Sequence, residues 1–246
     1  MSDEALAIRE LARAGDKDLF LAALFAPEDR QPHLFALQAF AAELQRIPSL
    51  VSEAQIGEIR LQWWADTLEQ PESGQGGHPV AMALAETIRA CGLPLQPFQQ
   101  MIEGRRFDLY ADRMPDLTSL ESHFGETLSA LIQLQCLVLD AKGAASATTA
   151  AGLTGVALGI ARTMLTRARQ KLVPQGLAEA DVLALARKRL AEARDAAATL
   201  PQSLWPAFLP LATADLYLAA AEAGRPQVPQ WRRQWRIWRA AKSGMI

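Results

Sequence analysis

The spacing of apolar residues constrains this chain more than any other feature of its sequence. Apolar side chains recur every three or four residues along most of the chain, and no stretch alternates with the period of two that a strand requires. Proline and glycine fall between the periodic stretches, where helices end. The pattern predicts helices over 29–46, 54–70, 79–91, 96–112, 118–140, 147–170, 178–199, 203–222 and 229–242.

The helices belong to one domain. The chain has 246 residues, half of them apolar, which is enough for one large core. The longest polar interruption, "PESGQGGHP" at 71–79, is predicted to be a loop, and nothing resembles a linker between domains. We therefore expect a single all-α domain over 1–246, with a basic, tryptophan-rich helix at 229–243.

Charge and cysteine content exclude several classes of protein. The net charge of −2 argues against a nucleic-acid binder. The start of the chain is charged and lacks the apolar core of a signal peptide, and no run of about 18 apolar residues predicts a membrane-spanning helix. Cys91 and Cys136 lie far apart and predict buried thiols in a reducing compartment. We expect a cytoplasmic protein, with peripheral contact at the inner face of the membrane as an alternative.

One acidic run has the spacing of a metal site. Asp108, Asp112 and Asp116 are four residues apart, whereas the three histidines are scattered along the chain. Pro115 is expected to end the helix near Asp112, and no second acidic cluster can face this one. We favour a solvated helix end over a metal site, and the sequence predicts no cofactor.

The C-terminal stretch "PQWRRQWRIWRAAK" allows two interpretations. Trp231, Trp235 and Trp238, at i, i+4 and i+7, form one aromatic stripe on a helix. Basic residues surround it, namely Arg232, Arg233, Arg236, Arg239 and Lys242. Because aromatic stripes at helical spacing are usually core, we expect the tryptophans to be buried. The alternative is a membrane interface or an acidic partner.

Five blocks, in order, resemble the squalene/phytoene synthase superfamily. They are "LFALQAF", "EIRLQWWADTLE", "MIEGRRFDLY", "SLESHFGETLSALIQL" and "GVALGIARTMLTRARQKLVP". The resemblance runs from about residue 18 to about residue 210. It implies the isoprenoid synthase fold, an all-α helical bundle around a central cavity.

Enzymes of that superfamily join two prenyl diphosphates head to head. The resemblance implies two D-x-x-x-D motifs on facing helices, whose carboxylates bind the magnesium ions that neutralise the leaving diphosphate. The first motif falls here on Gln45 and Ser49, with Pro48 expected to kink or end the helix between them. The second motif, N-x-x-R-D-x-x-x-D in the enzymes, falls on Arg162, Leu165, Thr166 and Gln170. These residues lack carboxylates, so the resemblance predicts degenerate motifs, no catalytic residues and no bound metal.

One branch of the superfamily, which assists the assembly of mitochondrial respiratory complex I, resembles "AFAAELQRIPSLVSEAQIGEIRLQWWADTLE" more closely. That branch shares the A-F-x-x-E-L, V-S-E, I-G and R-x-Q-x-W pattern. The candidates for ligand or partner binding are Glu43, Arg60, Gln62, Trp64, Arg105, Asp108, Arg162 and Arg169.

Several of these residues have simpler interpretations. Glu43 and Arg60 could form an ordinary pair between helices. Arg105 and Arg106 are more simply solvated, and we interpret Asp108 as structural. Arg162 and Arg169, seven residues apart, are expected on one helix face with Thr166. There they would replace a metal site by positive charge.

Three functions follow from the resemblance. The leading hypothesis is a non-catalytic pseudoenzyme that binds a protein partner, such as a subunit of a respiratory complex, during assembly. The second is a prenyltransferase with an altered site, the one case in which magnesium would be the cofactor. The third is a module that binds a prenyl lipid or quinone in the cavity, with Arg162 and Arg169 at its anionic head.

Overall fold

A computed structural model describes residues 3–69, 77–110 and 112–244. Every regular element within these ranges is a helix, so the prediction of an all-α fold is confirmed. Most of the predicted loop at 71–79 lies outside the described residues. The helices are α1 Asp3–Gly15, α2 Lys17–Ala23, α3 Gln31–Leu50, α4 Ala54–Glu69, α5 Pro79–Cys91, α6 Gln96–Gly104, α7 Leu117–Phe124, α8 Ala130–Leu139, α9 Thr148–Thr163, α10 Arg169–Leu172, α11 Glu179–Ala197, α12 Trp205–Phe208, α13 Ala214–Glu222 and α14 Gln230–Ser243.

Short non-α turns join several of these helices. Phe107–Leu109, Ala144–Ala147, Gln202–Leu204 and Leu209–Thr213 are 3₁₀ turns, and Gly125–Ser129 is one turn of π-helix. The last of these lies between α7 and α8, so the predicted helix 118–140 is nearly continuous.

The structure corrects the sequence-based helices in three places. Helices α1 and α2 were not predicted, although the apolar residues of α1 do lie on one side, where Ile8 and Ala12 are buried. The predicted helix 96–112 ends at Gly104, and the predicted helix 147–170 ends at Thr163. The third correction changes the positions of the candidate residues beyond Thr163.

Two apolar clusters form most of the core. The first is built mainly from α1, α3, α4, α5, α6 and α8, and the second from α7, α9, α11 and α13. A third, smaller cluster joins α2 and the turn 209–213 to Ile237 and Ala240 of α14. The α14 helix is thus attached to the body by a narrow apolar strip.

Two helical stretches are long and apolar enough to span a membrane by length and composition. They are Ala144–Thr163 and Gln202–Glu222, and 67% of each is buried inside the fold. Their side chains build the second core cluster and the ends of the other two. This burial is what core helices of a soluble protein show.

The π-turn and α9 approach each other so closely that only glycine fits between them. A Cβ atom on Gly155 would lie 2.4 Å from the Ser129 nitrogen and 2.6 Å from its Cα. A Cβ atom on Gly159 would lie 2.1 Å from the Phe124 ring. In contrast, Gly152 of the same helix has open space around it. The close packing of α9 against the 125–129 segment and Phe124 is therefore possible because Gly155 and Gly159 have no side chain.

We expect Gly155→Ala to lower the free energy of unfolding by roughly 1–3 kcal/mol, because backbone must move to admit the methyl group. Gly152→Ala is the matched control and should raise the stability by up to about 1 kcal/mol through helix propensity. Urea unfolding followed by circular dichroism measures both. Equal effects of the two substitutions would contradict the close approach.

A network of buried charges joins four helices. Asp18 of α2 is 2% exposed and accepts hydrogen bonds from the Tyr217 hydroxyl (2.6 Å) and from Arg233 Nη1 (2.7 Å). Arg233 Nη1 also donates to the Tyr217 hydroxyl oxygen (2.8 Å). Arg162 of α9 donates to Asp16 (2.5 Å) and lies 3.6 Å from Asp18. The network therefore holds α2, α9, α13 and α14 together.

The carboxylates in this network offset the cost of burying the two arginines. Burial alone would lower the pKa of the Arg162 guanidinium, but Asp16 and Asp18 outweigh burial and raise it. The pKa of Arg233 is raised in the same way, against burial, by Asp18. Burial raises the pKa of the Tyr217 phenol, so it remains a hydrogen-bond donor to Asp18. Removing one partner leaves the others uncompensated.

We expect Asp18→Ala to lower the free energy of unfolding by about 3–5 kcal/mol, because Arg162 and Arg233 lose a buried carboxylate. The control is Glu222→Ala, which removes an exposed carboxylate paired with Arg187 (2.6 Å). That change should cost about 0–1 kcal/mol, as exposed pairs do. Thermal or urea unfolding compares the two. An unchanged transition for Asp18→Ala would show that the network does not stabilise the fold.

Candidate functional site

The first pair of positions assigned to metal binding by the resemblance lies near the end of α3. Gln45 and Ser49 are both exposed, and the Ser49 hydroxyl donates to the carbonyl oxygen of Arg46 (2.7 Å). The helix continues past Pro48 to Leu50, so of the two expected effects, a kink or an end, Pro48 does not produce the end. Pro48 lies in the last turn, where its missing N–H removes a single helical hydrogen bond.

The opposite face of α3 is filled with core side chains. Phe40 and Leu44 are completely buried, and Phe40 packs edge-on against Trp64 (5.2 Å between ring centroids) and Phe98 (5.8 Å). Trp64 is 4% exposed. Trp64 is therefore a core residue, and the prediction that it contacts a ligand or partner is wrong because its ring is enclosed.

The second set of positions is divided by the end of α9. Arg162 is on the last turn of α9 and points into the buried charge network. Thr166, Arg169 and Gln170 follow the end of the helix and are exposed. Arg169 lies 3.5 Å from Glu179. The prediction that Arg162, Thr166 and Arg169 share one face is wrong, because α9 ends at Thr163. The two arginines therefore form no joint site for an anionic head group.

A small cavity of about 490 Å³ lies beside these exposed residues. Thr166, Arg169 and Gln170 line one side, and Arg225 and Pro226 line the other. Its lining carries three arginine side chains, since Arg167 also contributes. The chemistry of the cavity is therefore cationic rather than that of a metal site.

The "EGRRFD" block forms ion pairs that connect α6 to α4. Arg106 pairs with Glu58 of α4 and with Glu103 (2.6 Å). Arg105 donates to Asp108 (2.9 Å), and both side chains are largely buried. The interpretation of Arg105 and Arg106 as solvated is therefore wrong. The ion pairs of Arg105 and Arg106 stabilise the turn that follows α6, and the helix stops there, before its predicted end.

Asp108 also faces a buried histidine. Its Oδ1 lies 3.7 Å from His123 Nε2. Burial lowers the pKa of His123, and the Asp108 carboxylate partly opposes that shift. Asp116 does not join this group, because its side chain accepts from the Ser119 N–H (2.7 Å) at the start of α7. Among the residues of 3–69, 77–110 and 112–244, no three or more His, Cys, Asp or Glu side chains group so as to hold a metal ion.

The outer face of α4 is apolar. Ile56, Ile59 and Trp63 are 42%, 69% and 37% exposed. They are spaced i, i+3 and i+7, so they form one stripe on the side opposite to Leu61. Leu50, at the end of α3, is exposed as well. We name Leu50, Ile56, Ile59 and Trp63 the α4 face. Sequence analysis missed Ile59, although its spacing from Ile56 and Trp63 was a signal for a second apolar stripe.

Three predicted residues lie around the α4 face. Arg60 is exposed, and Gln62 donates to Asp66 (2.8 Å) on the same helix. Glu43 accepts from Arg46 (2.8 Å), so the predicted pair between Glu43 and Arg60 is wrong. Glu43 has a nearer partner one turn along its own helix. Arg60 forms no ion pair with any residue in the described part of the chain, which leaves its charge beside the stripe.

The tryptophans of α14 are not core residues. Trp231, Trp235 and Trp238 are 64%, 50% and 52% exposed, so the prediction that they are buried is wrong. The buried side of α14 carries Ile237 and Ala240 instead. One arginine of the helix, Arg233, also turns inward to Asp18, and this ion pair fixes which side faces the body.

A groove of about 1250 Å³ lies elsewhere, between α1, the start of α3, and α5. Ile8, Phe35 and Leu84 are among its apolar lining residues, and Glu28 and Glu86 are among its polar ones. None of the residues that the sequence predicted for a site lines this groove. The predicted residues are thus distributed among the ends of α3, α6 and α9 and the outer side of α4.

Comparisons with known proteins agree with the resemblance in the sequence. The model of the squalene/phytoene synthase family matches residues 12–166. The bovine NADH dehydrogenase (ubiquinone) complex I assembly factor 6 is 33% identical over 152 residues, covering 61% of this chain and 45% of that protein. The human protein of the same name is 31% identical over 152 residues, with the same coverage. A 15-cis-phytoene synthase of Synechococcus elongatus is 26% identical over 115 residues, covering 47% of this chain and 37% of the enzyme. The chain thus spans slightly under half the length of the assembly factors.

Solved structures show the same fold over nearly the whole chain. A dehydrosqualene synthase with a bound ligand superposes with a TM-score of 0.79 at 15% identity, covering 98% of this chain and 96% of that one. The squalene synthase HpnC from Alicyclobacillus acidocaldarius gives 0.67 at 20% identity, covering 97% and 94%. The order of the blocks, the match over 155 residues (12–166) and the shared architecture lead to one conclusion: the chain belongs to the squalene/phytoene synthase family, with an isoprenoid synthase fold.

Proposed function

We propose that this chain is a non-catalytic member of its family and binds a protein component of an NADH dehydrogenase-type respiratory complex during assembly. Relatives named as complex I assembly factors support the biological role. The residues at the two motif positions support the lack of catalysis. The α4 face supplies a surface for the protein partner.

The observation that carries the proposal is the state of Arg162. In a family enzyme the magnesium-binding carboxylates would stand at positions 166 and 170, where this chain has Thr166 and Gln170. Arg162 takes the place of the asparagine in the same motif, and its guanidinium is held in ion pairs with Asp16 and Asp18. Those two carboxylates already neutralise Arg162 and Arg233 and cannot serve a metal without leaving buried cations unpaired.

The remaining motif positions offer poor ligands for magnesium. Gln45, Ser49, Thr166 and Gln170 are neutral and exposed, and the Ser49 and Thr166 hydroxyls donate to backbone carbonyls. Magnesium at diphosphate sites is held by carboxylates together with substrate oxygens. The donor set does not fit a magnesium site, and a diphosphate leaving group would not be stabilised there.

The α4 face has the properties of a protein contact. Its four apolar side chains are exposed together with the charge of Arg60, and an apolar centre with arginine beside it is typical of protein interfaces. The face also lies within the stretch 12–166 that the family model matches. We therefore assign the α4 face as the contact surface for the respiratory-complex component.

We expect the purified chain to release no pyrophosphate from farnesyl or geranylgeranyl diphosphate above the buffer rate, with or without magnesium. The physical reason is the lack of carboxylates at the motif positions. A catalytically active phytoene synthase, assayed in parallel, is the positive control. Sustained magnesium-dependent release that is abolished by Gln170→Ala would establish the prenyltransferase alternative instead.

We expect Ile59→Arg to reduce the amount of assembled NADH dehydrogenase complex several-fold when the variant replaces the normal gene in its native host. Ile59 is the most exposed member of the α4 face, so the fold should tolerate the change while the contact should not. Native gels and NADH:quinone activity of isolated membranes measure the effect.

The matched control is Leu177→Arg, which places the same charge on an exposed apolar residue outside α4. It should leave assembly at the normal level. Normal assembly in cells without the gene would contradict the assembly role itself. A normal level with Ile59→Arg alone would reject the α4 face while leaving the role in place.

A further inference from the structure

Helix α14 presents its largest apolar side chains directly to solvent. At about 100° per residue, Trp231, Trp235 and Trp238 fall within an arc of about 60°. Ile237 and Ala240, the buried residues of the helix, lie on the opposite side. The outward direction of the stripe is fixed, because Arg233 on the inner side is held by Asp18 and Tyr217.

The same outer surface is strongly basic. Lys242 continues the tryptophan stripe, and Arg232, Arg236 and Arg239 follow one flank of it. No residue from 230 to 243 is acidic. Within the described ranges none of these four cations forms an ion pair, whereas most arginines of the body do. The Arg232 and Arg239 guanidinium groups lie over the Trp231 and Trp235 rings (5.3 and 5.2 Å).

An array of this kind matches the chemistry of a lipid–water boundary. Tryptophan is enriched at that depth because its ring is apolar and its N–H is polar, and arginine can pair there with phosphate oxygens. A helix with aromatic residues outward and basic residues beside them binds in the plane of an anionic membrane surface. The arginines stacked on tryptophans can follow the rings into the boundary while their charges remain near the phosphates.

The shape of the surface favours a membrane over an acidic protein segment. Neither the 1250 Å³ groove nor the 490 Å³ cavity includes any residue of α14. The stripe stands on the outside of a helix that is anchored along its inner side, so it forms a ridge. A planar layer of head groups can contact all three rings of a ridge at once.

We propose that the outer side of α14 binds the surface of membranes that contain anionic phospholipids, with Trp231, Trp235 and Trp238 at the head-group boundary and Arg232, Arg236, Arg239 and Lys242 paired with lipid phosphates. This surface is separate from the α4 face, and the inference does not rest on the proposed function. It gives the protein a fixed orientation on a membrane, since α14 cannot rotate without breaking the ion pair of Arg233 with Asp18.

The test is sedimentation of the full chain with vesicles. Vesicles of phosphatidylcholine mixed with phosphatidylglycerol should bind the protein about tenfold or more better than vesicles of phosphatidylcholine alone, and salt should weaken the binding. The triple variant Arg232→Gln, Arg236→Gln, Arg239→Gln should lose this preference. Trp235→Ala should weaken binding several-fold and leave the melting temperature unchanged, because the ring is half exposed.

The matched control removes three exposed charges elsewhere, as Arg113→Gln, Arg167→Gln, Lys188→Gln. It should bind anionic vesicles like the unmodified chain. If the two triple variants lost vesicle binding equally, the binding would depend on net charge alone, and the proposal would be overturned. No binding to either vesicle, or binding to a poly-glutamate peptide in place of vesicles, would overturn it as well.

Discussion

A single buried carboxylate organises much of this structure. Asp18 receives Arg233 from α14 and the Tyr217 hydroxyl from α13, and it lies beside Arg162 at the end of α9. Each arginine would be costly to bury alone, and each has its charge paired with a carboxylate of the network. Asp18 helps to fix which side of α14 faces the body, and Arg162 is held inward by Asp16 together with Asp18.

The same interaction bears on the function. In a family whose enzymes hold metal ions between facing helices, a cation of the protein itself is held by Asp16 and Asp18 near one of the motif positions. The fold of a synthase is retained, as the superposition over 98% of the chain shows. We propose that the chemistry at a few side chains differs, in keeping with the general observation that a fold does not determine an activity. We propose that the scaffold now serves contact with other components.

Sequence patterns predicted the helices better than the site. Periodicity placed α3, α4, α5 and α11 within a few residues, because these helices have a clear apolar side. It missed α1, where Ile8 and Ala12 are the only fully buried residues, and it extended α9 past Thr163. The end of α9 depends on tertiary packing, which local spacing does not record.

The predictions made for the candidate residues were wrong for a related reason. Spacing gives the angle between side chains on one helix, yet it does not tell which side faces the body. For α14 the tryptophan stripe was predicted to face the core. The side that does face the core is instead fixed by the ion pair between Asp18 and Arg233, which are 215 positions apart. For Arg105 and Arg106 the partners Asp108 and Glu58 were equally outside the reach of a local pattern.

The 215 positions that separate Asp18 from Arg233 along the chain also constrain when the fold can be completed during synthesis. A ribosome delivers the chain from residue 1 onwards, so Asp18 emerges long before Arg233 exists. Before Arg233 is synthesised, Asp18 can interact only with Arg162 and Tyr217 among its partners in this network. The third core cluster likewise lacks Ile237 and Ala240 at that stage. Closing a loop of this length is the slow kind of step in folding. The surface of α14 can therefore take its final orientation only after Arg233, Ile237 and Ala240 have been synthesised and have reached their partners.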